Sequence, residues 1–111
     1  MADLKIKFLG VDFENPTVLA SGILGVTASS LKNVVRNGAG GVTTKSIWLE
    51  EHKGHKNPTM LGNEHYFLNA VGLSDAGIDK AKETFAEYNE DKPAPLIASI
   101  VAYSKKDFAE L

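Results

Sequence analysis

Apolar and polar residues alternate at the start of the chain. Leu4, Ile6 and Phe8 fall on one side, Lys5 and Lys7 on the other. A period of two predicts a half-solvated strand. Gly10 marks a turn, and Val11–Phe13 predicts the returning arm of a hairpin. Asn15-Pro16 ends it. Thr17-Val-Leu-Ala20 predicts a short strand that stops at Ser21-Gly22, with Gly25 close behind. Small residues at such a point let backbone approach a ligand closely. The period then changes: Leu31, Val34 and Val35 stand at i, i+3 and i+4, the stripe of a helix. Thr27 or Ser29 is placed to cap it, Arg36 lies in its last turn, and Asn37-Gly38 is a stop signal. Gly41-Val-Thr-Thr-Lys-Ser46 follows, a covered strand with β-branched residues that ends in a lysine.

Residues 47 to 66 have no clean period and read as a long connection, a kind that is usually functional. Phe67-Leu-Asn-Ala-Val-Gly-Leu73 is apolar apart from Asn69, and Gly72 interrupts it. A buried amide needs partners, so Asn69 reads as a bridge between loops or a ligand contact. Asp75 is placed to cap a second helix over about Gly77 to Asn89, with Ile78, Ala81, Phe85 and Tyr88 on one side. Pro93 and Pro95 close that connection, and Leu96–Val101 predicts a third strand. Ser104, three residues before Asp107, predicts a last helix start, with Phe108 and Leu111 opening its stripe.

Strand, helix, strand is the repeat of a parallel sheet. The fold class is therefore α/β, a β-hairpin followed by three β/α steps, the third unfinished. Three such strands cannot close a barrel and would leave apolar faces open. The expectation is one segment, 1–111, of a longer β/α protein, or a chain paired with another polypeptide. No linker or repeat divides it.

The 111 residues are 43% hydrophobic and 23% charged, ordinary for a globular chain. A net charge of -2 offers no basic field for nucleic acid or anionic lipid. No apolar run is long enough to span a bilayer, and Met-Ala-Asp-Leu-Lys lacks the layout of a secretory signal. With no cysteine, disulfides and thiolate metal sites are excluded. A cytoplasmic location is compatible with this.

The candidate chemistry centres on Lys45. In parallel β/α proteins ligands bind at the carboxyl ends of strands, and a lysine is seldom buried without a partner. Either it meets an anion or polar cofactor there, or it snorkels to solvent. His52 and His55 lie in a charged loop and read as solvated residues rather than metal ligands. Trp48 and Tyr66 read as packing residues, with a lid or subunit contact as the alternative. The glycines at 22 and 25 lack the spacing and acidic partner of a dinucleotide fingerprint.

Five stretches in order carry a resemblance. They are Asn15-Pro-Thr-Val-Leu-Ala-Ser-Gly22, Thr44-Lys-Ser46, Asn57-Pro58, Asn69-Ala-Val-Gly-Leu73 and Pro95-Leu-Ile-Ala-Ser99. Together they resemble the N-terminal third of the class 1 dihydroorotate dehydrogenases, nearer the NAD-linked branch by Asn-Ala-Val-Gly-Leu. The resemblance spans Leu4 to about Val101. It implies the N-terminal part of a (β/α)8 TIM barrel with FMN over the carboxyl ends of its strands. Dihydroorotate would be oxidised to orotate in pyrimidine biosynthesis. The family's flavin contacts carry over to Ala20, Ser21, Gly22, Lys45 and Ser46. Ser99 stands where the family usually has a flavin-contacting Asn. The pyrimidine contacts carry over to Lys45 and to Asn69, Ala70, Val71, Gly72 and Leu73. Lys45 would act electrostatically, since the family's general base, a cysteine or serine, lies in a loop beyond residue 111. No metal is implied. The implied partners are the rest of the barrel, a homo-oligomer and, in the NAD-linked branch, an iron–sulfur flavoprotein subunit. The isolated chain is expected to be inactive.

Two other functions compete. One is a related pyrimidine-binding flavoprotein, such as a dihydropyrimidine dehydrogenase-like protein, which shares the regions of Lys45 and Asn69. The other is a non-catalytic β/α fragment that serves structure or assembly.

Overall fold

The computed structural model describes residues 3–111. Its elements run in order: β1 (Ile6–Phe8), β2 (Val11–Phe13), β3 (Val18–Leu19), α1 (Ala28–Arg36), β4 (Gly41–Thr43), β5 (Met60–Gly62), β6 (Phe67–Asn69), α2 (Ile78–Asn89), β7 (Leu96–Ile97) and α3 (Lys105–Glu110). A single 3-10 turn, Ile23–Gly25, precedes α1.

The hairpin forms as expected, with Ile6 opposite Phe13 and Phe8 opposite Val11. Its two-residue link, Leu9-Gly10, has φ of 50° and 81°. Positive φ at both positions matches the twist of the arms. The apolar side Leu4, Ile6 and Phe8 remains exposed. Phe13 is the hairpin's buried residue instead, and a Cβ on Gly41 would strike its ring. Gly41 opens β4, so the hairpin sits at the amino end of that strand.

β3, β4 and β7 form one parallel sheet in the order β3-β4-β7, with Leu19 beside Val42 and Val42 beside Leu96. The helices α1 and α2 make the two crossovers. Ala28 and Leu31 of α1, Val42 of β4 and Tyr88 of α2 form the core, with Leu19, Val34, Val35 and Leu96 packed around it. The fully buried Leu31 and Val42 each contribute roughly 1.5–3 kcal/mol by leaving water. The stripes expected for α1 and α2 face inward, with Leu31 and Tyr88 fully buried and the other stripe residues half-buried. Of the two cap candidates for α1, Thr27 is the cap: its Oγ1 accepts from Ser30 N at 3.2 Å. Lys32 Nζ donates to Asp91 Oδ1 at 2.6 Å, tying α1 to the end of α2. Ser104 caps α3 by accepting from Asp107 N, as its spacing predicts.

Three expectations need correction. Asp75 does not cap α2: the N-cap is Gly77, at φ 88°, and no side chain caps the helix. Asp75 Oδ1 instead accepts from Trp48 N and Gly77 N, because a bridge to His52 holds it two residues short of the cap. The third strand is shorter than Leu96–Val101. Pairing beyond Ile97 breaks and resumes at a bridge between Ile47 and Ile100. Finally, Phe67–Asn69 is not buried but an exposed strand, and residues 47–66 are not irregular throughout. β5 and β6 pair antiparallel, with Met60 opposite Asn69. That ribbon continues towards the core: Ala70 N donates to Thr59 O, His55 N to Val71 O, and His52 pairs with Asp75. The Asn57–Pro58 peptide within it is cis. The ribbon shows no clean hydrophobic period because neither face of β5–β6 is covered among the described residues.

Tyr88 closes the α2–β7 link. It is fully buried, and its hydroxyl donates to Ala94 O at 2.9 Å. Burial pushes its phenol above the ordinary tyrosine range. The neutral form is the one the fold prefers, so its contribution is complete below the unfolded value and fades as pH rises through the folded one. Tyr88→Phe is expected to cost about 1 kcal/mol at neutral pH. Urea midpoints should fall above about pH 10 in the parent, and this tyrosine-dependent part of the fall should be missing from the variant.

Candidate functional site

The carboxyl ends of β3, β4 and β7 lie side by side, and the residues just beyond them face one another. The backbone of residues 44–46 is held on both sides. Thr44 N donates to Ile97 O and Lys45 N donates to Gly25 O, at 3.0 and 2.9 Å. Between the pairs Thr43–Ile97 and Ile47–Ile100, three residues on the β4 side face only Ala98 and Ser99. One residue is therefore extra. Such a bulge bends a strand and re-aims side chains, often at a barrel rim. Here Thr44, which is buried, turns its Oγ1 to accept from Ser99 N at 3.0 Å. That bond satisfies an amide that the broken ladder would leave unpaired.

The bulge also lines up three hydroxyls. Ser21 Oγ and Ser46 Oγ are 3.4 Å apart, and Ser46 Oγ and Ser99 Oγ 2.9 Å. One row of groups that both donate and accept thus crosses three strand ends. Gly22 stands beside it in extended backbone, and the space where its Cβ would be is open. Gly25 is different: a Cβ there would collide with the Lys45 nitrogen, so only glycine lets the turn after β3 pack on β4.

Lys45 is half-buried, and its Nζ donates to Ser74 Oγ at 3.2 Å. It does not simply reach into solvent. Ser74 directly follows the run Asn69–Leu73, so the ammonium joins the end of β4 to the base of the ribbon. A groove of about 650 Å³ opens here between the start of α1 and α2 and takes in Lys45, Thr44 and Ser74. It does not include the serine row, which lies open at the sheet's end.

The run 69–73 is shaped by two left-handed residues, Gly72 at φ 77° and Leu73 at φ 52°. A side chain on Gly72 would meet the backbone and ring of His55. Leu73 O accepts from Trp48 Nε1 at 2.8 Å. The Asn69 side chain is exposed and makes no hydrogen bond among the described residues.

The sequence pattern described as "Dihydroorotate dehydrogenase" matches residues 3–111. This chain belongs to the dihydroorotate dehydrogenase family. Among its curated relatives, the "Dihydroorotate dehydrogenase B (NAD(+)), catalytic subunit" of Methanocaldococcus jannaschii is 42% identical over 111 residues. That match takes in 97% of this chain and 36% of the relative. The protein of the same name from Methanosarcina mazei is 42% identical over 109 residues, again 97% of this chain but 35% of the other. The chain thus spans about a third of the length of these relatives. Among solved structures, a DHODH from Eimeria tenella crystallised with ferulenol superposes with a TM-score of 0.83 at 21% identity. It covers 97% of this chain and 32% of that one. A ligand-free form of the same protein gives the same score. The fold is that of the N-terminal part of a (β/α)8 TIM barrel preceded by a β-hairpin.

Among the residues singled out from sequence, the fold brings Ser21, Ser46 and Ser99 together and sets Ala20, Gly22 and Lys45 beside them at the strand ends. Ala70, Val71, Gly72 and Leu73 arrive on the ribbon, tied to Thr59, His55 and Trp48. Lys45 and Asn69 share no hydrogen bond: the ammonium contacts Ser74 instead. Sequence reading missed Ser74, Thr44 and Trp48 as parts of the site. Ser74 adjoins a quoted motif, a usable signal, but the roles of Thr44 and Trp48 depend on the bulge and the ribbon. Thr44→Val keeps the shape and strips Ser99 N–H of its acceptor. Thermal or chemical denaturation should show a loss of about 1–3 kcal/mol. Ser46→Ala, in the half-exposed row, should cost less than about 1 kcal/mol.

Proposed function

We propose that residues 1–111 form the N-terminal segment of a single FMN-binding TIM-barrel domain. The protein is a flavin-dependent oxidoreductase that converts dihydroorotate to orotate in pyrimidine biosynthesis. The observation that carries this reading is the Lys45–Ser74 contact, 3.2 Å long, beside the three-serine row. It joins the end of β4, where a cofactor would rest, to the ribbon that carries Asn69–Leu73.

The residues fit an isoalloxazine. Ala20, Ser21 and Gly22 offer exposed or half-exposed backbone and a hydroxyl, while Ser46 and Ser99 extend the hydroxyl row. A hydroxyl at position 99 donates or accepts, so it serves where an amide would. Bound FMN supplies the hydride acceptor. Lys45 provides a fixed cation at the strand end, where it stabilises negative charge on the product carboxylate and developing during reaction. Exposed Asn69 has a free donor and a free acceptor for the amide edge of a pyrimidine. Peptide groups at Ala70 to Leu73 follow Asn69 on the same ribbon, where Gly72 lets the His55 arm pack against them. The general base and the phosphate-binding loops belong to later strands of the barrel.

The relatives' name, catalytic subunit, suggests a second subunit. We assign this role to an iron–sulfur flavoprotein that carries electrons to NAD, and place a homo-oligomer of the barrel in the cytoplasm. None of the helices is long and apolar enough to cross a membrane among the described residues.

In the assembled enzyme, Lys45→Ala should reduce kcat for dihydroorotate by a factor of about 10² or more. The flavin absorbance of the purified protein should persist. Unchanged turnover in this variant would favour a purely structural role for the segment. The 111-residue chain alone should show no dihydroorotate-dependent bleaching, and bleaching would contradict the assignment of the base to later strands.

A further inference from the structure

We infer that Trp48 is a positioning residue that sets the substrate-binding turn at Leu73, an inference that rests on reading Asn69–Leu73 as the pyrimidine contact. Trp48 lies three residues past Lys45, just beyond the bulge, and is buried. It reaches the ribbon twice. Its backbone N–H donates to Asp75 Oδ1 at 3.1 Å, and its indole Nε1–H donates to Leu73 O at 2.8 Å. These bonds bracket Ser74, which takes the Lys45 ammonium. Residues 73, 74 and 75 are thus each gripped from the 45–48 stretch.

Leu73 needs that grip. At φ 52° it occupies the left-handed region without being glycine, a conformation that persists only where its surroundings over-determine it. Without the indole donor, its carbonyl would lose the protein partner that holds this geometry and the turn would relax. The ring is locked in its own place. His52 stacks on it at 4.6 Å with planes 23° apart, and Tyr103 leans on it at 4.8 Å. His52 is in turn paired through its backbone with Asp75. Tyr103 comes from the segment after β7, so two rings from different parts of the chain fix the indole's donor position. Trp48 touches neither Lys45 nor the serine row through a hydrogen bond, so its loss leaves the cofactor platform in place.

The test uses the assembled FMN enzyme with Trp48→Phe, which keeps a ring for His52. A second form carries benzothienylalanine at position 48, a fused bicyclic ring of similar shape in which sulfur replaces the indole N–H and removes the donor. Both should raise KM for dihydroorotate about tenfold, the worth of one hydrogen bond. In both, kcat should stay within about twofold and flavin absorbance unchanged. Amide hydrogen exchange at residues 70–74 should accelerate by a similar factor. A KM equal to the parent's in the benzothienyl form overturns the proposal, as does unchanged exchange. A fall in kcat with loss of flavin, seen with Phe and not with the sulfur analogue, assigns Trp48 to packing and overturns it too. If dihydroorotate fails to bleach the unmodified enzyme, the oxidoreductase reading is what falls. The exchange measurement then still decides the Trp48–Leu73 contact independently.

Discussion

The architecture depends on satisfying the peptide groups of residues 44–46. A parallel ladder that gains one residue on one strand leaves amides without partners, and a buried unpaired amide costs on the order of 1–3 kcal/mol. Here the accounts close through three different donors and acceptors. Thr44 N uses the neighbouring strand, Lys45 N uses the turn carbonyl of Gly25, and Ser99 N takes the Thr44 hydroxyl. Each solution requires a particular residue. Position 25 must lack a Cβ, and position 44 must carry a hydroxyl in a space where valine would otherwise suit a strand. The placement of Ser46 and Lys45 follows from this arrangement. Ser46 meets Ser21 and Ser99 because the extra residue bends the strand, and Lys45 reaches the ribbon.

The ribbon is the second organising feature. It is built from two segments that look irregular one at a time and regular only as a pair. Pairing runs from His52 with Asp75, through His55 with Val71, to Gly62 with Phe67. Gly54 and Gly72 both take positive φ, and each lies so close to the opposite arm that a side chain would collide with it, at the Val71 carbonyl for Gly54 and the His55 ring for Gly72. The inner end is anchored to the sheet by Trp48, Lys45 and Asp75. The outer end, β5–β6, is exposed on all its residues. An element of this kind can present peptide groups at a fixed place near the strand ends while its tip stays free to meet other surfaces.

Family membership and geometry answer separate questions. Membership rests on the match over residues 3–111 and accounts for the order of strands. Geometry says which of the matched residues meet. Ser99 illustrates the difference. By resemblance it departs from the usual amide, yet in space it completes a row of hydroxyls with Ser21 and Ser46. Each of the three hydroxyls can both donate and accept.

Periodicity and capping chemistry in the sequence determined the local elements: the first hairpin, the two crossover helices with their inward stripes, the cap at Ser104, and a cap for α1 at Thr27 or Ser29, between which the structure chose Thr27. These follow from contacts within a few residues, which a linear reading captures. The motifs also marked Ser21, Lys45, Ser46 and the 69–73 run. Only the tertiary structure decided that Asp75 binds Trp48 and Gly77 rather than capping α2, that Asn69 is exposed, and that Ser74 receives the lysine. The Trp48–Asp75 and Lys45–Ser74 bonds join residues 27 and 29 positions apart through the bulge and the ribbon. No local pattern encodes them, because long-range pairing is set by which backbone groups remain unpaired once the sheet has formed.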